Sequence, residues 1–354
     1  MHQGEFVTSA ALRGASGYLP AVDALPSLCA PLVASLTRSD QRERFTQYVE
    51  GLLATPGRRS FRNMAARLGG GPTLEQRLHH FVSCSTWDWL PVRRALAAHV
   101  TASVPPDAWV LRPVIAPKEG DNIVGVHRRH VPGLGHQVNV QYGIGLWAVS
   151  GTRCHPVNWR LLLPRSWTDD PVRRARTSIP GGSRPETPTE CAIGAFLELM
   201  GEAGGQWPDR PVVLALHGVD AAAAVRMLRA ARLRFLVQVD RTDPLAPGAL
   251  ELRRPGEGAD PWAAGTTVVR VRPPRGAGPS SDEVWLTDLA DTDPVALAAL
   301  TASARAVDAS FARVTDPLGA RDFTGRTFDG WNRHMTLVSV AHAAWEATAG
   351  PPRP

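Results

Sequence analysis

The sequence predicts an α/β protein, a mixed sheet flanked by helices and preceded by an N-terminal helical domain. Two observations carry this. Apolar residues recur at helical spacing from about residue 26 to 104, and a set of β-branched runs separated by glycines then gives way to alternating helices and strands. At 354 residues the chain has enough apolar content to bury one large core or two.

Residues 1–25 lack sustained periodicity and read as a loose lead-in. In the helical domain, 26–104, Phe45, Val49, Leu52 and Leu53 share one stripe, and Phe61, Met64, Ala65 and Leu68 share the next. Ser60 to Ser83 reads as helix, turn, helix: Ser60 caps the first helix, Gly69 to Gly71 break it, and Thr73 with Gln76 offers a capping box for the second. A DNA-binding helix-turn-helix and a plain helical hairpin both fit, since the second helix carries only Arg77, His79 and His80 as basic residues. A third helix is expected from Ser85 or Thr86 to His99, with Arg93 and Arg94 on it.

Residues 105–347 form the second predicted domain. Trp109–Ile115, Ile123–Val126, Val138–Val149 and Trp159–Leu163 read as an antiparallel meander. A helix around Ala192–Gly201, a buried strand Pro211–Leu216, a helix Ala221–Ala231 and a strand Arg234–Val239 follow. Residues 240–282 read as a Pro/Gly/Arg-rich insertion with at most a hairpin strand at Thr266–Val271. Val284–Leu286 is one more strand, Val295–Phe311 and Trp331–Ala347 are helices, and 348–354 are a tail. Antiparallel strands followed by alternating helices and strands are the order of the ribonuclease H-like fold.

The net charge of +6 and the pI near 9.7 invite a nucleic-acid reading, yet Lys118 is the single lysine and the basic residues are otherwise arginine. With Ala, Gly and Pro abundant, that bias fits a high-GC genome as well as it fits DNA binding. The start lacks a basic region followed by an apolar one, and no apolar run approaches membrane-spanning length, so a cytoplasmic location without membrane contact is expected. Cys29, Cys84, Cys154 and Cys191 are far apart without CxxC spacing, which gives structural zinc no support.

The most informative stretch is Trp159 to Pro180. Pro164 cuts an apolar strand, and Asp170 before Pro171 signals a helix start, because a side-chain oxygen meets an orphan amide where proline's missing donor is harmless. The order Leu163, Pro164, Ser166, Trp167, Thr168, Asp169, Asp170, Pro171, Arg173, Arg174 resembles a segment of bacterial insertion-sequence transposases of the DDE endonuclease superfamily. Two flanking blocks carry the same resemblance: Pro117, Lys118, Gly120 to Val126, Arg128, Gly133, Gly135, Asn139, Gln141 and Gly143, and Arg326, Gly330, Trp331, Arg333, His334, Thr336, Leu337, Ala341 and His342.

The resemblance implies a ribonuclease H-like domain that cuts and joins DNA with divalent metals held by two Asp and one Glu. Mg²⁺ prefers hard oxygen ligands, and two such ions flanking a phosphate activate the attacking oxygen and stabilise the leaving one. Counting from Pro117 and Lys118 puts Arg112 at the first acid's position. The end of the buried strand puts Ala215 at the second, and the residue three before Phe311 puts Asp308 at the third. The family's basic residue one turn earlier falls on Ala304 and its later lysine on Thr315. Arg112 does not deprotonate, so the expectation is a degenerate family member with no confident catalytic residue, in which Mg²⁺ is expected only if catalysis is retained. Glu119 and Asp121 are candidate substitute acids, and His127, His130, His136 and His217 candidate metal ligands; solvated loop acids and ordinary histidines fit equally well.

The function expected is therefore a DNA-binding protein that has lost strand transfer and is co-opted for regulation, with double-stranded DNA as partner and a homodimer left open. Arg128, Arg129, Arg165, Arg173, Arg174, Arg326 and Arg333 would clamp phosphates, with Trp331 packing or stacking behind them. The alternatives are a repurposed enzyme or small-ligand binder using a cleft of Arg112, Ala215, His217 and Asp308, a residually active transposase, or a decaying copy without a role.

Overall fold

The computed structural model describes residues 18–131, 135–201, 207, 209–239, 265–271, 283–289 and 291–348. The N-terminal part consists of α1 (Tyr18–Asp23), α2 (Leu25–Leu32), α3 (Ser39–Ala54), α4 (Phe61–Arg67), α5 (Gly71–Ser83) and α6 (Trp89–Ser103). Helix thus begins at Tyr18, inside the stretch predicted as lead-in; residues 1–17 lie outside the described residues.

Local chemistry accounts for the boundaries. Ser60 Oγ accepts from the Asn63 amide (3.1 Å) and opens α4 as predicted. The following helix starts at Gly71, because Pro72 is tolerated in a first turn, so Thr73 and Gln76 lie inside α5 and do not form the expected capping box. Asp88, and not Ser85 or Thr86, caps α6 by accepting from the Leu90 amide (2.9 Å).

Eight strands are found among the described residues: β1 (Ala108–Pro117), β2 (His127–Val131), β3 (His136–Ser150), β4 (Arg153–Leu161), β5 (Val212–Leu214), β6 (Phe235–Val239), β7 (Thr267–Val271) and β8 (Glu283–Thr287). They form one sheet in the order β2-β3-β1-β5-β6-β8-β7, with β4 on the same edge of β3 as β2, beyond it. β1, β3 and β4 pair antiparallel, β1, β5 and β6 parallel, and β8 and β7 antiparallel again. This is the predicted mixed sheet, in the ribonuclease H-like arrangement.

Ile123–Val126, predicted as a strand, is a turn: the Val126 amide donates to Ile123 O (3.1 Å) and Gly125 adopts φ +75°. A side chain at Gly125 would meet Leu161 at 3.0 Å as well as an unfavourable backbone. The hairpin strand expected at Thr266–Val271 is β7, paired with β8; residues 240–264 and 272–282 of the predicted insertion lie outside the described residues.

The remaining helices are α7 (Arg165–Thr168), α8 (Pro171–Thr177), α9 (Pro188–Met200), α10 (Ala221–Ala230), α11 (Pro294–Ser310) and α12 (Phe328–Thr348), with a π-helical turn, Phe311–Thr315, continuing α11. α8 starts as predicted, with Asp170 Oδ1 accepting from Val172 N (2.9 Å) and Arg173 N (3.0 Å). α9 starts four residues before Ala192, where Thr187 and Glu190 form a reciprocal capping box.

α12 joins the two parts. It lies against α3, α5 and α6 on one side and β4 on the other, and one apolar cluster runs unbroken from Ala21 to Ala344. Its polar residues are buried and paired, as burial requires. Arg93 of α6, fully buried, donates to Thr336 Oγ1 (2.7 Å), Asn158 Oδ1 (2.8 Å), Trp159 O (2.7 Å), Asn332 O (2.9 Å) and Asn332 Oδ1 (3.1 Å). Burial lowers its pKa to about 10. His334 donates from Nε2 to Gly319 O (2.9 Å), so its Nδ1 accepts from Tyr48 Oη (2.9 Å) and the ring is neutral. His342 is held the same way, between Cys154 O (2.7 Å) and the Thr315 hydroxyl (2.9 Å).

Candidate functional site

The three positions that stand where the family's acids are expected meet in space. The parallel register of β1 and β5 places Leu111 beside Leu214, and the Ala215 amide donates to Leu111 O (3.2 Å). Ala215 therefore follows directly beside Arg112. α11 crosses the same region and brings Asp308 to it, from 196 residues further along the chain. Arg112 Nε donates to Asp308 Oδ1 (2.9 Å), Nη2 donates to Asp308 Oδ2, and Nη1 donates to Ala215 O (2.7 Å).

The guanidinium thus fills the space between the strand end and the helix, joined side-on to the carboxylate in the fork geometry that suits this pair. The Arg112 side chain is 17% exposed and that of Asp308 54%, so the pair lies at the mouth of the site with its cation on the inner side. Opposite Arg112 in the antiparallel register is Gly145, where a Cβ would stand 2.6 Å from the Trp159 ring and 2.8 Å from Trp147 Nε1. Only a residue without a side chain fits there.

A divalent pair does not fit these residues. One of the three positions is a fixed cation, one offers only a backbone carbonyl, and Asp308 is committed to the guanidinium. Among the described residues no group of three or more His, Cys, Asp or Glu side chains is placed to hold a metal. The candidate substitute acids do not enter the site: Asp121 faces Arg173 of α8 at 3.8 Å, and Glu119 is an exposed loop residue after β1. His217 is exposed in the turn after β5. His127 and His130, three apart on β2, point to opposite faces; His127 Nδ1 donates to Gly125 O (2.9 Å), and burial lowers its pKa. His136 pairs with Val131 across the hairpin and is exposed.

The arginines expected on phosphates separate into two sets. The side chains of Arg128, Arg165 and Arg326 are exposed and make no hydrogen bond or ion pair within the described residues. The others are engaged. Arg129 lies over the Tyr142 ring (4.3 Å), and Arg173 over Trp167 (5.0 Å) beside Asp121 and Asp170. Arg174 donates to Thr168 O (3.3 Å), Pro180 O (3.0 Å) and Gly181 O, closing the loop after α8.

Arg333 and Trp331 do not face a solvent-side partner. Both are 4% exposed; Arg333 donates to Trp87 O (3.0 Å) and Val82 O (3.2 Å), and the Trp331 ring lies against Gly143. α12 is buried along most of its length, so its basic and aromatic residues serve the interior.

The blocks that carry the resemblance hold the loops around the site. Trp167 Nε1 donates to Val126 O (2.8 Å), fixing the turn that precedes β2. Lys118 donates to Arg321 O and Phe323 O (2.7 Å each), tying the end of β1 to the loop before α12; burial lowers its pKa to about 8. Arg93 has no role among the sequence-based expectations, although a signal for one is present. Trp89, Val92, Leu96, Ala97 and Val100 place Arg93 on the apolar stripe of α6, where an arginine must find buried acceptors.

No curated protein matches this chain. The family description "DDE superfamily endonuclease" matches residues 31–272, which include Arg112 and Ala215, while Asp308 and α12 lie beyond the match and complete the same fold. With more than half of the sequence matched and the three site positions meeting on a ribonuclease H-like sheet, the chain belongs to the DDE endonuclease superfamily.

Proposed function

We propose that this protein is a transposase-like DNA-binding protein that has lost metal-dependent strand transfer, and that it serves in regulation rather than in DNA cutting. The observation that carries the reading is the Arg112 fork on Asp308 and Ala215 O. It puts a permanent positive charge where the family's chemistry needs carboxylates, while the superfamily membership supports DNA as the partner. Arg128, Arg165 and Arg326, whose exposed side chains are unengaged, are the phosphate contacts of this reading. The competing reading, a new enzyme in an emptied cleft, is weakened by the same geometry, because the three groups satisfy one another.

The test is binding of the purified protein to labelled duplex DNA at low and moderate salt, with Mg²⁺ or Mn²⁺ present and cleavage scored in the same samples. Salt-sensitive binding without nicking is the expected result. Nicking abolished by a chelator would overturn the loss of strand transfer, and absence of binding at low salt would overturn the DNA assignment.

A further inference from the structure

Lys118 stands apart from every other basic residue of the chain. All but one of the 39 Lys and Arg residues are arginine, and this one directly follows β1, where its Nζ donates to Arg321 O and Phe323 O (2.7 Å each). An arginine fork would hold two carbonyls as well. What a lysine adds is the ability to lose a proton and offer a lone pair, since a guanidinium stays charged.

The surroundings suit that state. A neutral amine keeps both hydrogen bonds with its two hydrogens, and the lone pair takes the tetrahedral position that the carbonyls leave over. The residue lines an open cleft of about 550 Å³ with Glu119, Arg128, Gln137 and Asn139, room enough for a small acyl donor. The sheet fixes the cleft floor: Asn139 O accepts from the Lys118 amide (2.9 Å), and Asn139 pairs with Arg128 between β3 and β2. Burial is the main influence on the amine and lowers its pKa to about 8; Asp322, before α12, favours the ammonium, and Arg58, between α3 and α4, opposes it. Asp322 is itself engaged, its Oδ2 accepting from the Arg59 amide (2.7 Å). Glu119, Arg128 and Arg321 are exposed, and His334, bonded to Gly319 O, is neutral.

We infer that Lys118 is a nucleophilic amine and a site of N-acylation by small activated acyl donors, acyl phosphates or acyl thioesters. The lone pair attacks the acyl carbonyl carbon and forms the Nζ–C bond. The bond from that carbon to the phosphate oxygen or the sulfur breaks, the leaving group takes the electron pair, and one proton passes from Nζ to solvent. The amide nitrogen keeps a single hydrogen, so either Arg321 O or Phe323 O loses its donor. Acylation therefore loosens the loop before α12 from the end of β1. This chemistry is independent of DNA binding.

The experiment treats the full chain with acetyl phosphate, and separately with an acetyl thioester, from about pH 6.5 to about pH 10, and follows the adduct on Lys118 by peptide mass mapping. The same chain in guanidinium chloride is the reference, and Lys118→Arg, which keeps donors for both carbonyls, should lose the adduct. With a pKa of about 8, roughly a quarter of the amine is neutral at about pH 7.5, against about a thousandth of an ordinary lysine. Lower basicity offsets part of that gain. Lys118 is therefore expected to react at least about tenfold faster in the folded chain than in the unfolded one, at a rate that levels off above about pH 8.5 while the unfolded chain's keeps rising. A gain with either donor supports the site, and the donor that gives it names the acyl source. A Lys118 that reacts no faster folded than unfolded with both donors, or whose folded rate climbs on to about pH 10, would overturn the assignment and leave an inert latch. Hydrogen exchange at residues 319–323 should quicken on acylation, and unchanged exchange in the acylated protein would refute the loosening.

Discussion

Replacing Arg112 by Asp is expected to convert a cation-filled position into a divalent-cation site. A guanidinium about 5 Å from a divalent ion, at an effective dielectric of about 20, repels it by roughly 6–7 kcal/mol. That is nearly five powers of ten in affinity. Arg112→Asp removes this repulsion and sets a second carboxylate opposite Asp308, with the Ala215 carbonyl beside both. Without metal the variant should be less stable by about 2–3 kcal/mol. The Ala215 carbonyl loses its donor, and the charge pair contributes only about 1 kcal/mol because Asp308 is 54% exposed. Thermal melting in Mn²⁺ and in chelator reads both effects. The variant should gain several degrees in Mn²⁺, since ligand at about 100 times Kd stabilises by about 2.7 kcal/mol, while wild type stays unchanged. A wild-type protein whose melting temperature rises in millimolar Mn²⁺ and falls back with chelator would refute the exclusion argued from Arg112. An unresponsive Arg112→Asp protein would refute the geometry assigned to the three positions.

Other consequences follow from the interior. Arg93→Met should cost about 3–5 kcal/mol in denaturant unfolding, because Asn158, Asn332, Thr336 and the Trp159 carbonyl lose a buried donor together; a loss under about 1 kcal/mol would deny the network that role. Gly145→Ala should destabilise the sheet by about 2 kcal/mol or more, since its Cβ would stand 2.6 Å from the Trp159 ring, and an unchanged melting temperature would contradict the packing. Burial lowers the His334 pKa from the ordinary histidine range to about 4. The unfolded chain then binds the extra proton first, so this histidine's contribution is intact above about pH 6.5 and declines toward pH 4, by about 3 kcal/mol in all. His334→Gln should flatten that part of the acid unfolding curve.

Much of the architecture is legible along the chain because it is local. Asp170 before Pro171 and Ser60 before α4 each satisfy an amide two or three residues away, so their geometry is written in the adjacent sequence. Ile123–Val126 reads as a strand because its apolar residues suit one, whereas Gly125 takes a positive φ and Leu161 of β4 leaves little room for a side chain there. The start of α6 reads too early for a similar reason. Ser85, Thr86 and Asp88 can all cap, and the placement of Trp87 in the core, its Nε1 donating to Phe81 O (3.2 Å), leaves Asp88 at the helix end.

Counting along the chain from strand ends and a helix phenylalanine is enough to put Arg112, Ala215 and Asp308 at the positions of the family's acids. Counting does not reveal that they touch. That follows from the parallel pairing of β1 with β5 and the passage of α11 across them, contacts between segments up to 196 residues apart. The same holds for Arg333 and Trp331. An arginine and a tryptophan on a helix look equally suited to a phosphate or to an interior, and only the burial of α12 between the N-terminal helices and the sheet assigns them inward. Capping and periodicity act over a few residues and leave local marks, whereas which charges meet is decided by where distant elements come to rest.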